Sequence, residues 1–371
     1  MLKLEKPALL AALAVVLDVV KGKNTIPILS NVLIERDGQE IAISGGNLSM
    51  DIRTRCAAEL GSDFHDFTVP AHQFAQIVRN AAEDRILIDD APESGQIVVR
   101  SGRSRLKLPT IATNAFPKLP LPTSPKTISL SSDVLDKAIK AVAFAADNDS
   151  TRPYLCGVYF YPCDDGLVLA ATDGKKFSKR LIRSISLDDD VSGLPAIIIP
   201  NEAIGPIRKL LSTGEDVEII HDAAKVMVEV GGTRLISKLV EGTFIDYERF
   251  QPPASSVTMT VSAAALTGAI ARVLVATPKA EYGMNFAVTS DTLSLSARDI
   301  ASGEGEDEIA VMASGSVTTG FNGAMLDECI DHVDGDEIEM IVSDGMAPAK
   351  IRTPGSLDDY MILMPTRTRV G

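Results

Sequence analysis

One pattern occurs three times along this chain of 371 residues, and no other feature limits its fold so strongly. Each copy opens with an apolar-periodic helix, predicted over 8–20, 134–146 and 263–276. Strand-like alternation follows at 32–36, 167–171 and 292–297. A second helix comes after a strand and turn, at 71–82, 202–211 and 323–333, with two more strands behind it. These later halves align directly: "VPAHQFAQIVRNAAEDRILIDD" parallels "IPNEAIGPIRKLLSTGEDVEII" and "FNGAMLDECIDHVDGDEIEMIV". Polar linkers rich in Pro, Ser and Thr at 117–126 and 251–256 divide the chain into units 1–123, 124–253 and 254–371. Two helices among several strands per unit predict an α+β domain, its helices packed on one side of antiparallel sheets.

The cores must be filled by aliphatic side chains, since aromatics make up 5% of the residues and tryptophan is absent. Cys56, Cys156, Cys163 and Cys329 form no CxxC pair and are too few to staple a chain of this size. Neither a zinc site nor a disulfide scaffold is expected, and a reducing cytoplasm fits. Lys3 and Lys6 precede an apolar run at 7–17, as in a secretory leader. Asp18, Lys21 and Lys23 then stand where a small-residue cleavage site belongs. Leu9, Leu10, Leu13, Val16, Leu17 and Val20 recur at helical spacing behind Pro7, which predicts a buried amphipathic helix instead. No other apolar stretch is long enough to span a membrane.

The net charge of −14 argues against a protein held on nucleic acid by electrostatic affinity alone. Its distribution is uneven. Lys plus Arg against Asp plus Glu stands at 14 to 14 in the first unit, 15 to 19 in the second and 7 to 17 in the third. A neutral end with basic clusters and an acidic end are complementary, which favours head-to-tail association and ring closure.

Several segments resemble the bacterial DNA polymerase III beta subunit family of sliding clamps: "NTIPILSNVLIE" (24–35), "SGRSRLKLPT" (101–110), "LAATDGKKFSKR" (169–180), "SKLVEGTFIDYERFQP" (237–252), "TGFNGAML" (319–326) and "YMILMPTR" (360–367). They fall in the family's order over the whole chain. The resemblance implies three similar domains per chain and a head-to-tail homodimer. Six domains then form a ring around duplex DNA, with helices lining the hole. It also implies a groove that accepts short linear motifs from the DNA polymerase III alpha subunit, the clamp loader, other polymerases and repair proteins.

Carried over by position, the groove would be lined by Leu155, Thr172, Gly174, Lys175, Lys176 and Phe177. Ile245, Arg249 and Phe250 join from the linker, and Ile362, Leu363, Met364, Pro365 and Arg367 from the tail. Apolar Met, Leu, Phe and Ile suit an adaptable floor, and Lys and Arg a polar rim. The family commonly has His-Arg-Leu where this chain has Lys175-Lys176-Phe177, and residues 368–371 extend past the usual end. The ring interface would use Arg103, Arg105, Leu106 and Leu108 from the first unit. Val273, Leu274, Glu304, Glu306, Asp307 and Glu308 of the third unit would face them. DNA-facing positions would be Lys23, Arg79, Arg152, Tyr154, Arg208 and Lys209, which touch phosphates without reading sequence. Asn201 and Glu202 stand where the family is commonly basic.

No nucleophile motif, phosphate loop or metal-binding helix occurs, and "GEGEDE" at 303–308 lacks the spacing of a dinucleotide fingerprint. His65, His72, His221 and His332 have no triad partners fixed by any motif. The chain is therefore expected to be non-catalytic, cytoplasmic, free of cofactor and metal, and in contact with no membrane. Two other readings are a clamp paralogue that sequesters partners or inhibitors as a self-resistance copy, and a metal-dependent α+β hydrolase.

Overall fold

The computed structural model describes residues 1–91, 95–124, 126–183, 186–187, 194–276, 283–299 and 303–368. Among them are six α-helices: α1 (Lys6–Leu17), α2 (Ala71–Arg79), α3 (Ser132–Ala143), α4 (Asn201–Leu211), α5 (Ala263–Ala276) and α6 (Gly323–Ile330). They are the six that the repeat predicts. Four of them, α1, α2, α3 and α6, stop three residues short of the predicted ends, and the reason is local. After α1, α2, α3 and α6 the chain closes with three-residue turn bonds, as from Val19 N–H to the Val16 carbonyl and from Val333 N–H to the Ile330 carbonyl. Apolar burial runs on through such a turn, at Val19 and Val20 for instance, so periodicity overshoots the helix. No helix among the described residues is long and apolar enough to cross a membrane.

The chain forms two compact units, 1–136 with 184–239, and 137–183 with 240–371. In the first, an antiparallel sheet runs in the order Glu59–Leu60, Leu2–Glu5, Arg85–Ala91, Gln96–Ser101 and Ser104–Pro109, so Ser104–Pro109 is an open edge. A second sheet joins strands of the first and second sequence repeats where Thr233–Lys238 pairs with Met50–Cys56, Leu235 opposite Ile52. Helix α1 lies against this sheet through Leu9, Leu13 and Val16, all without solvent exposure. Gly45 makes that approach possible, because a Cβ there would stand 2.3 Å from a Val16 methyl carbon.

In the second unit the strands Gly157–Cys163, Gly166–Thr172, Lys176–Ile182, Tyr360–Leu363, Ala349–Arg352, Glu337–Val342, Val257–Ser262 and Met312–Ala313 follow one another in a sheet. Here too strands of different repeats join, with Phe177 opposite Ile362. A four-stranded sheet (Gly303–Ala310, Thr292–Asp299, Met284–Val288, Val317–Phe321) carries α5, and α6 packs on α5 and on Tyr360–Leu363. Its core holds Leu266, Ile270, Val273, Leu326 and Ile330 around the edge-to-face pair Phe286 and Phe321, whose centroids are 5.3 Å apart. Asn322 caps α6, its side-chain oxygen accepting from the Met325 N–H at 3.1 Å.

Asp51, on Met50–Cys56, fastens the chain that leaves the first repeat. Its Oδ2 accepts from the Leu119 N–H at 3.3 Å, while Oδ1 is buried without a hydrogen bond among the described residues. Burial pushes the carboxyl up to about 6, and Glu35 adds to the shift, against the Leu119 bond and the charges of Arg234 and Lys118. The folded pKa thus exceeds the unfolded one. Stability from this group is full in acid and is lost as pH rises through about 6. Asp51→Asn should therefore stabilise the protein by about 1–3 kcal/mol at pH 8, a gain that fades by pH 4–5. Calorimetric melts at the two pH values check this. An equal effect at both would contradict it.

Candidate peptide groove and subunit edges

A groove opens in the second unit, lined by Thr172, Gly174, Lys175, Lys176, Phe177, Ile245, Phe250, Ile362 and Met364. Its base is set by strand register: Lys176–Ile182 runs beside Tyr360–Leu363, and the Met364 N–H donates to the Lys175 carbonyl at 2.8 Å. The turn at one end is tightly specified. Asp173 Oδ1 accepts from the N–H groups of Lys175 and Lys176, both at 2.8 Å. Thr172 Oγ1 accepts from the Gly174 N–H at 3.0 Å and donates to the Lys176 carbonyl at 2.6 Å. Gly174 takes φ 86°, which a side chain would disfavour.

Aromatic rings stiffen the groove wall. Phe177, buried, stacks on Tyr247 with centroids 5.0 Å apart and leans on Tyr360 at 6.0 Å. Lys350 stands 3.9 Å over the Tyr360 ring. Burial pushes the Tyr360 hydroxyl up to about 12, with the Glu248 charge adding and the Gln251 hydrogen bond opposing. It stays neutral at ordinary pH.

Nine of the fourteen residues predicted for the groove line it, and five do not. Leu155 and Pro365 are buried beside other groups. Leu363 belongs to the core, although the sequence reading placed it in the groove floor. Arg249 points to solvent, paired with Asp246 at 2.7 Å, and Arg367 is exposed while its carbonyl accepts from the Gly283 N–H at 2.9 Å. That bond and the Thr366 N–H bond to the Gly320 carbonyl at 2.8 Å stitch the tail to the four-stranded sheet. The predicted rim of basic side chains thus shrinks.

The edge residues need a sharper correction. Val273 is 1% exposed inside the core of its unit, and Leu274 is half-buried against the same cluster. Val273 therefore has no apolar surface left for a partner, while Leu274 keeps part of its own. The exposed apolar side chain at this end of α5 is Val275, at 81%. Leu266, Ile270 and Val273 fix the buried face at helical spacing, and Val275 falls off it, a signal that the sequence already carried. On the open edge Ser104–Pro109, Arg103, Arg105 and Leu106 are exposed, while Leu108 is buried and turned away from any partner. Leu106 borders a cleft lined also by Ile77 and Gln73 of α2. Gly303–Ala310 is likewise an open edge, with Glu304, Glu306 and Glu308 exposed. Asp307 faces the other way, held by Arg272 at 2.6 Å, and that hydrogen bond keeps its carboxyl below the usual range.

The basic residues predicted to face DNA are largely engaged. Arg208 forks onto Asp136 at 2.6 and 3.3 Å, Lys209 pairs with Asp18, and Arg152 pairs with Asp147 at 2.6 Å. Tyr154 is half-buried. Lys23 and Arg79 are exposed and form no ion pair among the described residues.

Comparison with known proteins agrees over nearly the whole chain. Residues 1–120 match the N-terminal domain of the DNA polymerase III beta subunit, 129–246 its central domain and 249–367 its C-terminal domain. The beta sliding clamp of Caulobacter vibrioides is 29% identical, covering 99% of each chain. Among solved structures, the DNA polymerase III subunit beta of Pseudomonas aeruginosa superposes with a TM-score of 0.92 at 26% identity, covering 99% of this chain and 100% of that one. The DNA polymerase sliding clamp of Caulobacter crescentus superposes with a TM-score of 0.90 at 29% identity, covering 99% of both. The chain has the three-domain clamp fold, and it belongs to the DNA polymerase III beta subunit family of bacterial sliding clamps.

Proposed function

We propose that two copies of this chain, each with domains 1–123, 124–253 and 254–371, close head to tail around duplex DNA in the cytoplasm. The ring is a non-catalytic processivity factor that carries the DNA polymerase III alpha subunit, other polymerases, the clamp loader and repair proteins. It grips DNA by enclosure and needs no sequence-reading contact. The observation that carries the tethering role is the groove at Phe177, Ile245, Phe250, Ile362 and Met364, apolar and bounded by a fixed turn. A few aliphatic or aromatic anchors seated there supply roughly 1.5–3 kcal/mol each before association entropy is subtracted, so micromolar peptide binding is expected.

The test uses a peptide taken from the clamp-binding end of the cell's replicative polymerase. Truncating Phe250 and Met364 together to Ala should weaken it at least tenfold, about 1.4 kcal/mol, by calorimetry. Deleting 368–371 should leave the affinity within twofold, because among the described residues the tail's part of the groove lining ends at Met364. Cutting from Met364 onward also removes the Thr366 and Arg367 backbone bonds, and stability should fall with it. Full affinity in the Phe250/Met364 variant would place the groove elsewhere.

A further inference from the structure

Lys176 and Lys350 are both half-buried in the second unit, and only one of them has a carboxylate partner. Lys176 Nζ lies 2.8 Å from Glu328 on α6, 3.5 Å from Asp173 and 5.8 Å over the Phe144 ring. Burial alone would lower its pKa, but Glu328 and Asp173 outweigh it and hold the ammonium above its ordinary value. Such a lysine keeps its proton and is a poor nucleophile.

Lys350 is the opposite case. It stands on Ala349–Arg352, opposite Ile362, and alternation puts it on the same sheet face as Tyr360 and Arg352. Its Nζ lies 3.9 Å over the Tyr360 ring and donates to Gln251 Oε1 at 3.1 Å. Both partners are neutral, and no carboxylate pairs with Lys350 among the described residues. Two further cations share this face. Lys179, opposite Tyr360 on the neighbouring strand, has its Nζ 5.4 Å from the same ring, and Arg352 pairs with Glu339 at 2.5 Å. Burial pushes the Lys350 pKa below its ordinary value. Arg352 and Lys179 add to that, while Glu248 and Glu339 oppose it without cancelling it. Its amine is therefore unprotonated more often than that of an exposed lysine at the same pH.

We propose that Lys350 is a modification site, an amine that acyl phosphates acylate in preference to the exposed lysines of the chain. The unprotonated amine attacks the acyl carbon and forms the C–N bond. The C–O bond to phosphate breaks, inorganic phosphate leaves with that electron pair, and the nitrogen releases its proton to water. Lys179 and Arg352 supply countercharge beside the departing phosphate. The product is a neutral amide, so one of three crowded cations is removed from the Tyr360 face. Neither the ring nor the peptide groove enters this inference.

Competitive labelling of the full chain tests it. The native protein is treated with acetyl phosphate at pH 8, the remaining amines are labelled with heavy acetic anhydride in denaturant, and peptides are read by mass spectrometry. Lys350 should be acetylated at least about threefold faster than the exposed Lys175 and Lys107, and the advantage should shrink as pH rises towards 10. Lys176, also half-buried but paired, should be the slowest of the four. Lys179→Met should slow Lys350 by about twofold or more, and Glu248→Gln, a change at an exposed side chain, should quicken it. Lys350 reacting no faster than Lys175, or Lys176 matching Lys350, overturns the proposal. So does an advantage that persists when acetyl phosphate is applied in denaturant, since it would then come from local sequence alone. A Lys350 rate indifferent to both Lys179→Met and Glu248→Gln removes the surrounding charges as its cause, and the proposal with them.

Discussion

Val275→Asp should convert the dimer to a monomer in solution, and Leu106→Asp on the edge strand Ser104–Pro109 should do the same. Val275 is 81% exposed at the end of α5 and Leu106 is 41% exposed on an unpaired strand beside α2, where apolar surface needs a covering partner. Open edges at Ser104–Pro109 and Gly303–Ala310 can pair in antiparallel fashion between copies, with exposed Arg103 and Arg105 meeting exposed Glu304, Glu306 and Glu308. Covering each apolar side chain contributes roughly 1.5–3 kcal/mol, and a head-to-tail dimer makes that contact twice. A carboxylate in the same place is left desolvated and unpaired, so dissociation should strengthen about a hundredfold or more.

Val273→Ala should act differently. It hollows the core of its own unit, costing about 2 kcal/mol of stability, and leaves the mass in solution that of a dimer. Light scattering at micromolar concentration, paired with thermal melts, separates the two effects. A wild type with the mass of one chain, or a Val275→Asp variant that stays dimeric, would contradict this arrangement.

These edges show where sequence reading reached and where it stopped. The six helices follow from local periodicity, because a buried helical face repeats within a few residues of chain. Their ends do not, since Val19 and Val20 remain buried in the turn that follows α1. Strand partners are further out of reach. Phe177 opposite Ile362 and Leu235 opposite Ile52 join residues from different repeats, and nothing in either segment alone names its partner. The groove was legible mainly because its residues sit in segments that resemble a family. The fate of Lys176 was not, because Glu328 and Phe144 reach Lys176 from distant parts of the sequence. The offset between Val273 and Val275 was legible in principle, from the buried stripe Leu266, Ile270 and Val273.

The charge pattern leads to the central claim. Arg208, Lys209 and Arg152 spend their charge on Asp136, Asp18 and Asp147, and the chain carries −14 overall. Equilibrium binding to linear duplex should therefore be weak and strongly dependent on salt. Enclosure is not subject to that limit, because a closed ring leaves a closed circle only by opening. The most direct measurement loads the protein onto a nicked DNA circle with the cell's clamp loader and ATP, then follows retention at moderate salt before and after the circle is cut. Retention on the intact circle, with rapid loss once it is linearised, is the predicted result. Loss at the same rate from both would contradict the sliding-clamp account.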